Sequence, residues 1–180
     1  MENQEVKEGY KLTEVGVIPQ DWKIKTFREI CFVNQGLQIA IKNRAKIPTS
    51  KSKKYITIEY INGEKDVEYI NEYSSSVCCF KEDVLMTRTG NTGIVVTNVE
   101  GVFHNNFFKI NYNRNIVNKY YLIAYLRRKI IQQEMLKKAG SSTIPDLNHN
   151  DFYSIPIVIP PLYEQEKIAQ VLSDFDRAIA

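Results

Sequence analysis

Apolar positions change period several times along the 180 residues, and each change marks an expected element. Trp22-Lys23-Ile24-Lys25-Thr26-Phe27 alternates apolar and polar, the period of a half-buried strand. Residues 27–33 then read as a short helix that ends near Asn34-Gln35-Gly36. Tyr55-Ile56-Thr57-Ile58-Glu59-Tyr60-Ile61 is dense in β-branched and aromatic residues and predicts a strand stopped by Asn62-Gly63. Further strands are expected at 67–70, 77–80, 84–87, 93–97 and 107–112, with turns at Lys81-Glu82-Asp83 and Gly90-Asn91-Thr92-Gly93. From Asn118 to Lys138 the chain lacks glycine and proline and predicts one helix, buried in its first half, basic in its second and stopped by Gly140.

Residues 140–150 read as a polar loop, and Ile155-Pro156-Ile157-Val158-Ile159 as an extended run whose prolines place it at a sheet edge. Pro160-Pro161 with Glu164 and Glu166 then mark a helix start. Ile168, Leu172, Phe175 and Ile179 recur at spacings of four, three and four along it, the rhythm of a coiled-coil seam, although packing on the chain's own core fits the same pattern. The fold class is therefore α+β, or mixed α/β, with a mixed, mostly antiparallel sheet and a C-terminal coiled-coil-like helix. Its expected divisions are a polar lead-in over 1–16, a domain over 17–159 and the helix over 160–180.

Composition adds little until charge is located. With 43% hydrophobic and 25% charged residues the chain is of ordinary globular character, and no apolar run approaches the 18 residues of a membrane span. Three cysteines, Cys31, Cys78 and Cys79, fit no zinc spacing and read as reduced thiols of a cytoplasmic protein. The net charge of +3 conceals segregation. Residues 41–54 carry Lys42, Arg44, Lys46, Lys51, Lys53 and Lys54 and no acid, on a stretch that reads as a mobile loop. Residues 84–138 carry nine basic residues against Glu100 and Glu134. A polyanion-facing middle of the chain follows from this.

Catalytic chemistry is poorly stocked. His104 and His149 stand far apart in sequence, so no metal site is expected. In Arg88-Thr89-Gly90-Asn91-Thr92-Gly93 the last glycine precedes Ile94, where a phosphate-binding P-loop needs Lys and then Ser or Thr. Pro160-Pro161-Leu162-Tyr163 compares only loosely with the Pro-Pro-Tyr loop of amino-methyltransferases, because Ile159 stands where Asn or Asp is needed. No cofactor is expected. Phosphate and base recognition is better supplied. Lys42, Arg44, Lys46, Lys51, Lys53, Lys54, Arg88 and Arg114 are candidates for backbone or base contact, with Asn91, Asn105 and Asn106 as candidate base readers.

The two ends of the chain then carry a resemblance. Thr13-Glu14-Val15-Gly16-Val17-Ile18-Pro19-Gln20-Asp21-Trp22-Lys23 resembles the opening of a target-recognition domain in type I restriction–modification specificity subunits. Asp83-Val84-Leu85-Met86-Thr87-Arg88-Thr89-Gly90 resembles that family's internal strand and turn, and Gly140-Ser141-Ser142-Thr143-Ile144-Pro145-Asp146-Leu147-Asn148 its small polar loop. The run from Ile155 through Pro160-Pro161-Leu162-Tyr163-Glu164-Gln165 to Asp176 is similar to its passage into a spacer helix. The resemblance implies a non-catalytic domain that grips one half of a split double-stranded DNA target from the major groove. It implies partners too: methyltransferase (M) subunits carrying the chemistry, restriction (R) subunits carrying cleavage, and a second spacer helix or a second copy against Ile168, Leu172, Phe175 and Ile179. A complete subunit of this family has two such domains, so the chain resembles one half. A fragment of a DNA methyltransferase or nuclease with its own activity, or a protein-interaction module that binds no DNA, are the alternatives.

Overall fold

The computed structural model describes residues 6–141 and 143–179, with side chains described through Phe175. The chain opens with a hairpin of β1 (Tyr10–Thr13) and β2 (Gly16–Pro19). This hairpin spans the boundary expected at residue 16. Next come β3 (Lys23–Thr26), the single turn α1 (Phe27–Ile30) and β4 (Cys31–Gln35). The helix expected over 27–33 is thus cut short. Glu29 accepts hydrogen bonds from the Thr26 backbone N–H (2.7 Å) and hydroxyl (3.1 Å), which starts the turn, but at Cys31 the backbone swings to an extended conformation to pair with a later strand.

The basic stretch leads into β5 (Lys53–Ile56) and the short helix α2 (Ile58–Ile61). Here the strand expected over 55–61 is corrected. Thr57 caps a helical turn by accepting from the Tyr60 N–H at 3.2 Å, so a local side-chain bond overrides the β propensity of Ile58, Tyr60 and Ile61. Five further strands follow: β6 (Tyr69–Ile70), β7 (Cys78–Cys79), β8 (Val84–Thr87), β9 (Val95–Thr97) and β10 (Gly101–Phe103). The long β11 (Phe107–Tyr112) completes the sheets of the middle region. Two helices, α3 (Lys119–Arg127) and α4 (Lys129–Ala139), replace the single helix expected from 118, because Arg128 adopts ψ 133° and interrupts the ladder. Asn118 caps the first and Gly140, at φ 87°, ends the second. The loop that follows gives way to α5 (His149–Tyr153), also unforeseen, and then to β12 (Pro156–Ile159) and α6 (Leu162–Ile179).

These strands form two four-stranded sheets, β4-β11-β8-β9, antiparallel throughout, and β6-β5-β10-β7, where only β5 and β10 run parallel. The pair β12-β3 makes a separate ribbon. The first sheet lies in the middle of the molecule. Val84 and Met86 of β8 and Phe108 and Ile110 of β11 face a core shared with α1, α3, α4 and α5, while Leu85 and Phe107 face the other way, against Ile56 and Phe103 of the second sheet. Burial on both faces is why Val84-Leu85-Met86-Thr87 shows no alternation of apolar and polar residues.

One close approach ties the layers together. A Cβ at Gly36 would lie 2.2 Å from the carbonyl oxygens of both Phe103 and His104, and the Gly36 N–H donates to the Phe107 carbonyl at 3.2 Å. No side chain fits there. Gly36→Ala is expected to destabilise the protein by about 1–3 kcal/mol, as overpacking does, read as a lowered midpoint of urea unfolding.

Candidate nucleic-acid interface

The site is built around the turn between β10 and β11, residues His104, Asn105 and Asn106. The Asn106 N–H donates to His104 Nδ1 at 3.1 Å, and the Asn106 carbonyl accepts from the Arg88 N–H at 2.7 Å. Gln35 reaches the Asn105 carbonyl at 3.4 Å from the end of β4. Leu37 donates its N–H to the Phe103 carbonyl at 3.1 Å, which carries the segment before the basic stretch onto the same turn. On that side Tyr55 receives the Ile39 N–H at its hydroxyl (3.0 Å) and donates to the Leu37 carbonyl (2.8 Å), while its ring lies 5.8 Å from that of His104. The segment just before the basic stretch and the 88–91 turn therefore flank one and the same turn.

Arg44 is half-buried. Its Nε and Nη2 donate to the Ile39 carbonyl at 2.9 and 2.7 Å, its Nη1 meets Glu68 Oε2 at 2.9 Å, and its guanidinium lies 5.0 Å from the centre of the Tyr55 ring. Arg88 is engaged in the same manner. Its side chain is 12% exposed, with Nη2 at 2.7 Å from Asp146 Oδ1, Nε donating to the Leu147 carbonyl at 3.2 Å, and the guanidinium 5.3 Å from the Phe108 ring. Both arginines hold loops together, so the fold employs as scaffold two cations that composition placed among the contact residues.

The lysines differ. Lys42, Lys46, Lys51 and Lys54 are exposed, and among the described residues none has a carboxylate within 4.0 Å. Lys53 is half-buried, its ammonium 5.6 Å from the Phe80 ring and 6.0 Å from that of Tyr73. The stretch is not the mobile loop expected. Ala45 exchanges both backbone bonds with Tyr69 (2.9 and 2.8 Å), Thr49 donates to Asn71 at 3.1 Å, and Tyr73 donates to the Lys51 carbonyl at 2.9 Å. The lysine heads are thereby presented on a fastened strap. Lys53 and Lys54 pair with Ile70 and Tyr69 at the start of β5, away from the His104 turn.

Asn91 is exposed at the tip of its turn, where its carbonyl accepts from the Thr87 hydroxyl. Asn106 and Asn105 lie on the central turn, and the Asn105 side-chain oxygen is buried without a hydrogen-bond partner. Arg114 is not brought to this edge. It is exposed just beyond the far end of β11, and the six residues of that strand put about 17 Å between its ends.

Asp146 was not singled out in the sequence. It joins the polar loop to the 88–91 turn, accepting from the Thr89 hydroxyl at 2.6 Å while pairing with Arg88, and its side chain remains 51% exposed. Its place in the loop motif was the one available signal. His104 was missed as an organiser too. Burial lowers its pKa, with the Glu59 carboxylate opposing and Arg44 reinforcing that shift, and burial followed by the nearby Arg88 lowers that of His149. Burial pushes Cys31 up to about 12 and Cys79 to about 11, so neither is a nucleophile at neutral pH.

Along α6, Ile168 packs against the main core. With Leu172 it lines an apolar groove of about 290 Å³ beside Trp22, Tyr121, Ala124 and Tyr125. Phe175 is 61% exposed, and the Ile179 side chain lies outside the described residues.

Residues 19–180 match the family model of the Type I restriction modification DNA specificity domain. The chain belongs to this family. Among curated proteins it is similar to the putative type I restriction enzyme MjaX specificity subunit of Methanocaldococcus jannaschii, with 30% identity across 96% of this chain and 44% of that protein. It is similar also to the MjaIX specificity subunit of the same organism, at 28% identity over 94% and 41%. The specificity domain described here thus spans less than half the length of these relatives. Its fold matches the HsdS subunit of Thermoanaerobacter tengcongensis with a TM-score of 0.72 at 16% identity, over 96% of this chain and 41% of that one. A chain of a type I R-M system assembly gives 0.73 at 16% identity, over 90% and 40%.

A testable consequence concerns His104. Its neutral Nδ1 accepts the Asn106 N–H, and its folded pKa lies below the ordinary value, so the unfolded chain takes up the proton first as pH falls. Its contribution to stability is whole above the unfolded value of about 6.5 and declines as pH falls below it towards the folded value. The Tm is expected to drop between pH 7 and 5.5, and His104→Gln to show a smaller drop over the same interval.

Proposed function

We propose that this domain recognises one half of a double-stranded DNA target as the specificity component of a type I restriction–modification enzyme. The observation that carries the reading is a strap of exposed lysines without carboxylate partners that follows directly on the segment, Gln35 to Leu37, bonded to the amide-bearing His104–Asn106 turn. Lys42, Lys46, Lys51 and Lys54 hold phosphates, a task that needs charge and reach but no base geometry. Asn91 and Asn106 supply amides of the kind that pair with adenine edges, whereas the buried oxygen of Asn105 keeps that amide from the same two-bond contact. Arg44 and Arg88 keep these elements in register, Lys53 reinforces the strap, and Arg114 serves a separate phosphate contact. The recognising region covers 17–159, with α6 as the start of a spacer.

On this reading methyl transfer and cleavage belong to partner M and R subunits, and the chain needs no cofactor. Among the described residues no group of three or more His, Cys, Asp or Glu side chains could hold a metal ion, and no helix is long and apolar enough to cross a membrane. The complex works in the cytoplasm, where its DNA is. Leu172, Phe175 and Ile179, with Ile168 at their root, meet a second spacer helix or an M subunit. Because so short a seam is weak alone, the free chain is a monomer or weak dimer.

The test is a salt titration of duplex binding. With about four phosphates engaged, log K falls against log salt with a slope near −3.6, and replacing Lys42 or Lys46 by Ala flattens it by about 0.9 each. A slope near zero overturns the electrostatic half of the reading, and methyl transfer or cleavage by the purified chain alone overturns the other half. In cells, deleting the chain is expected to erase one bipartite motif from the methylation map.

A further inference from the structure

We infer that Gln165 is a positioning residue that sets the direction in which α6 leaves the domain, by locking the root of the helix to the remote Ile116–Asn118 backbone and to the chain's own turn into the helix at Pro160. Gln165 is fully buried, at 0% exposure, which is rare for an uncharged amide unless every polar atom is paired. Its Oε1 accepts from the Asn118 N–H at 2.8 Å, and its Nε2 donates to the carbonyls of Ile116 (2.9 Å) and Pro160 (2.8 Å). These partners are the loop that leads into α3 and Pro160, two residues before α6. One residue earlier, Glu164 Oε2 accepts from the Trp22 indole N–H at 2.9 Å, which ties the same turn to the segment before β3.

Beyond this root the grip fades. Ala169 is buried and Ile168 half-buried, but every position from Gln170 through Phe175 is exposed. The helix is a cantilever of 18 residues, about 27 Å long at 1.5 Å per residue. Tilting it by about 7° at the root moves its tip by about 3.3 Å, close to the 3.4 Å step of one base pair along a DNA strand. A generic apolar contact permits sliding of this size, whereas three hydrogen bonds from one amide to backbone groups do not. The chemistry also accounts for the residue type. Glutamate supplies no donor for the two carbonyls, and asparagine is one carbon short of bridging all three partners.

The consequence for a partner docked on α6 rests on the recognition function proposed above; the positioning itself does not. The test is therefore read on the full chain without DNA or partners. Spin labels at the exposed positions Val171 and Lys137 report the distance from α6 to the domain, and a second pair at Glu72 and Lys137 reports the integrity of the domain itself. The wild type is expected to give one narrow distribution for each pair. Gln165→Met, similar in size but without the amide, should at least double the width for the α6 pair and leave the internal pair unchanged. Trp22→Phe, which removes the indole donor and part of the ring that lines the groove beside Ile168, should give an intermediate width. An unchanged α6 width in Gln165→Met with an intact internal pair overturns the inference. So does equal broadening of both pairs in both variants, which assigns these side chains to general stability. Duplex affinity measured on the same proteins tests the recognition function separately.

Discussion

The candidate interface depends on a backbone constraint, the closeness with which two separate segments meet the turn after β10. Phe103 and His104 present carbonyls against which only a glycine fits, Gly36 occupies that place, and Asn106 offers its carbonyl to Arg88 from the other side. Buried peptide groups must be paired, so these contacts are obligatory once the sheets form. They bring the segment before the basic stretch, the central turn and the 88–91 turn to one edge. Side chains on this edge can then vary on a frame whose geometry is held by main chain.

Charge is divided along the same lines. Arg44 and Arg88 hold neighbouring carbonyls and carboxylates and lie over aromatic rings, whereas the lysines of the strap project without carboxylate partners. The planar guanidinium suits the first task, since it satisfies several fixed acceptors at once. The ammonium on a flexible stem suits the second, because phosphate neutralisation needs charge more than direction. Asp146 is the hinge of this arrangement. It is half exposed, pairs with a nearly buried arginine and accepts from Thr89, and so joins two loops that are 57 residues apart.

The C-terminal segment supplies a mechanical connection. The ribbon of β12 and β3 closes the domain by pairing the last strand with one of the first, and the two prolines after it release the chain into α6. Trp22 meets Glu164 at the root of that helix, and Gln165 beside it holds the Asn118 N–H. The free end of α6 keeps Leu172 and Phe175 exposed beside a groove already apolar, a surface suited to another helix.

Much of this was legible in the residues themselves. Strands 84–87 and 107–112, the Asn118 cap, the Gly140 stop and the proline-led final helix all follow from local rules, because caps, turns and β-branched runs act within a few bonds of one another. The family resemblance likewise lay in contiguous motifs. Other features went against the expected pattern. The apparent strand at 55–61 broke after Ile56 because Thr57 capped a helix, and the helix from 118 broke at Arg128. Whether a cation is scaffold or contact depends on acceptors far away in sequence, as Leu147 is for Arg88 and Glu68 for Arg44. The sequence by itself determined the strands at 84–87 and 107–112, the final helix, where the cations are dense and which family the chain resembles. Only the tertiary structure decided which cations remain free, since burial and pairing are set by neighbours that folding alone brings within reach.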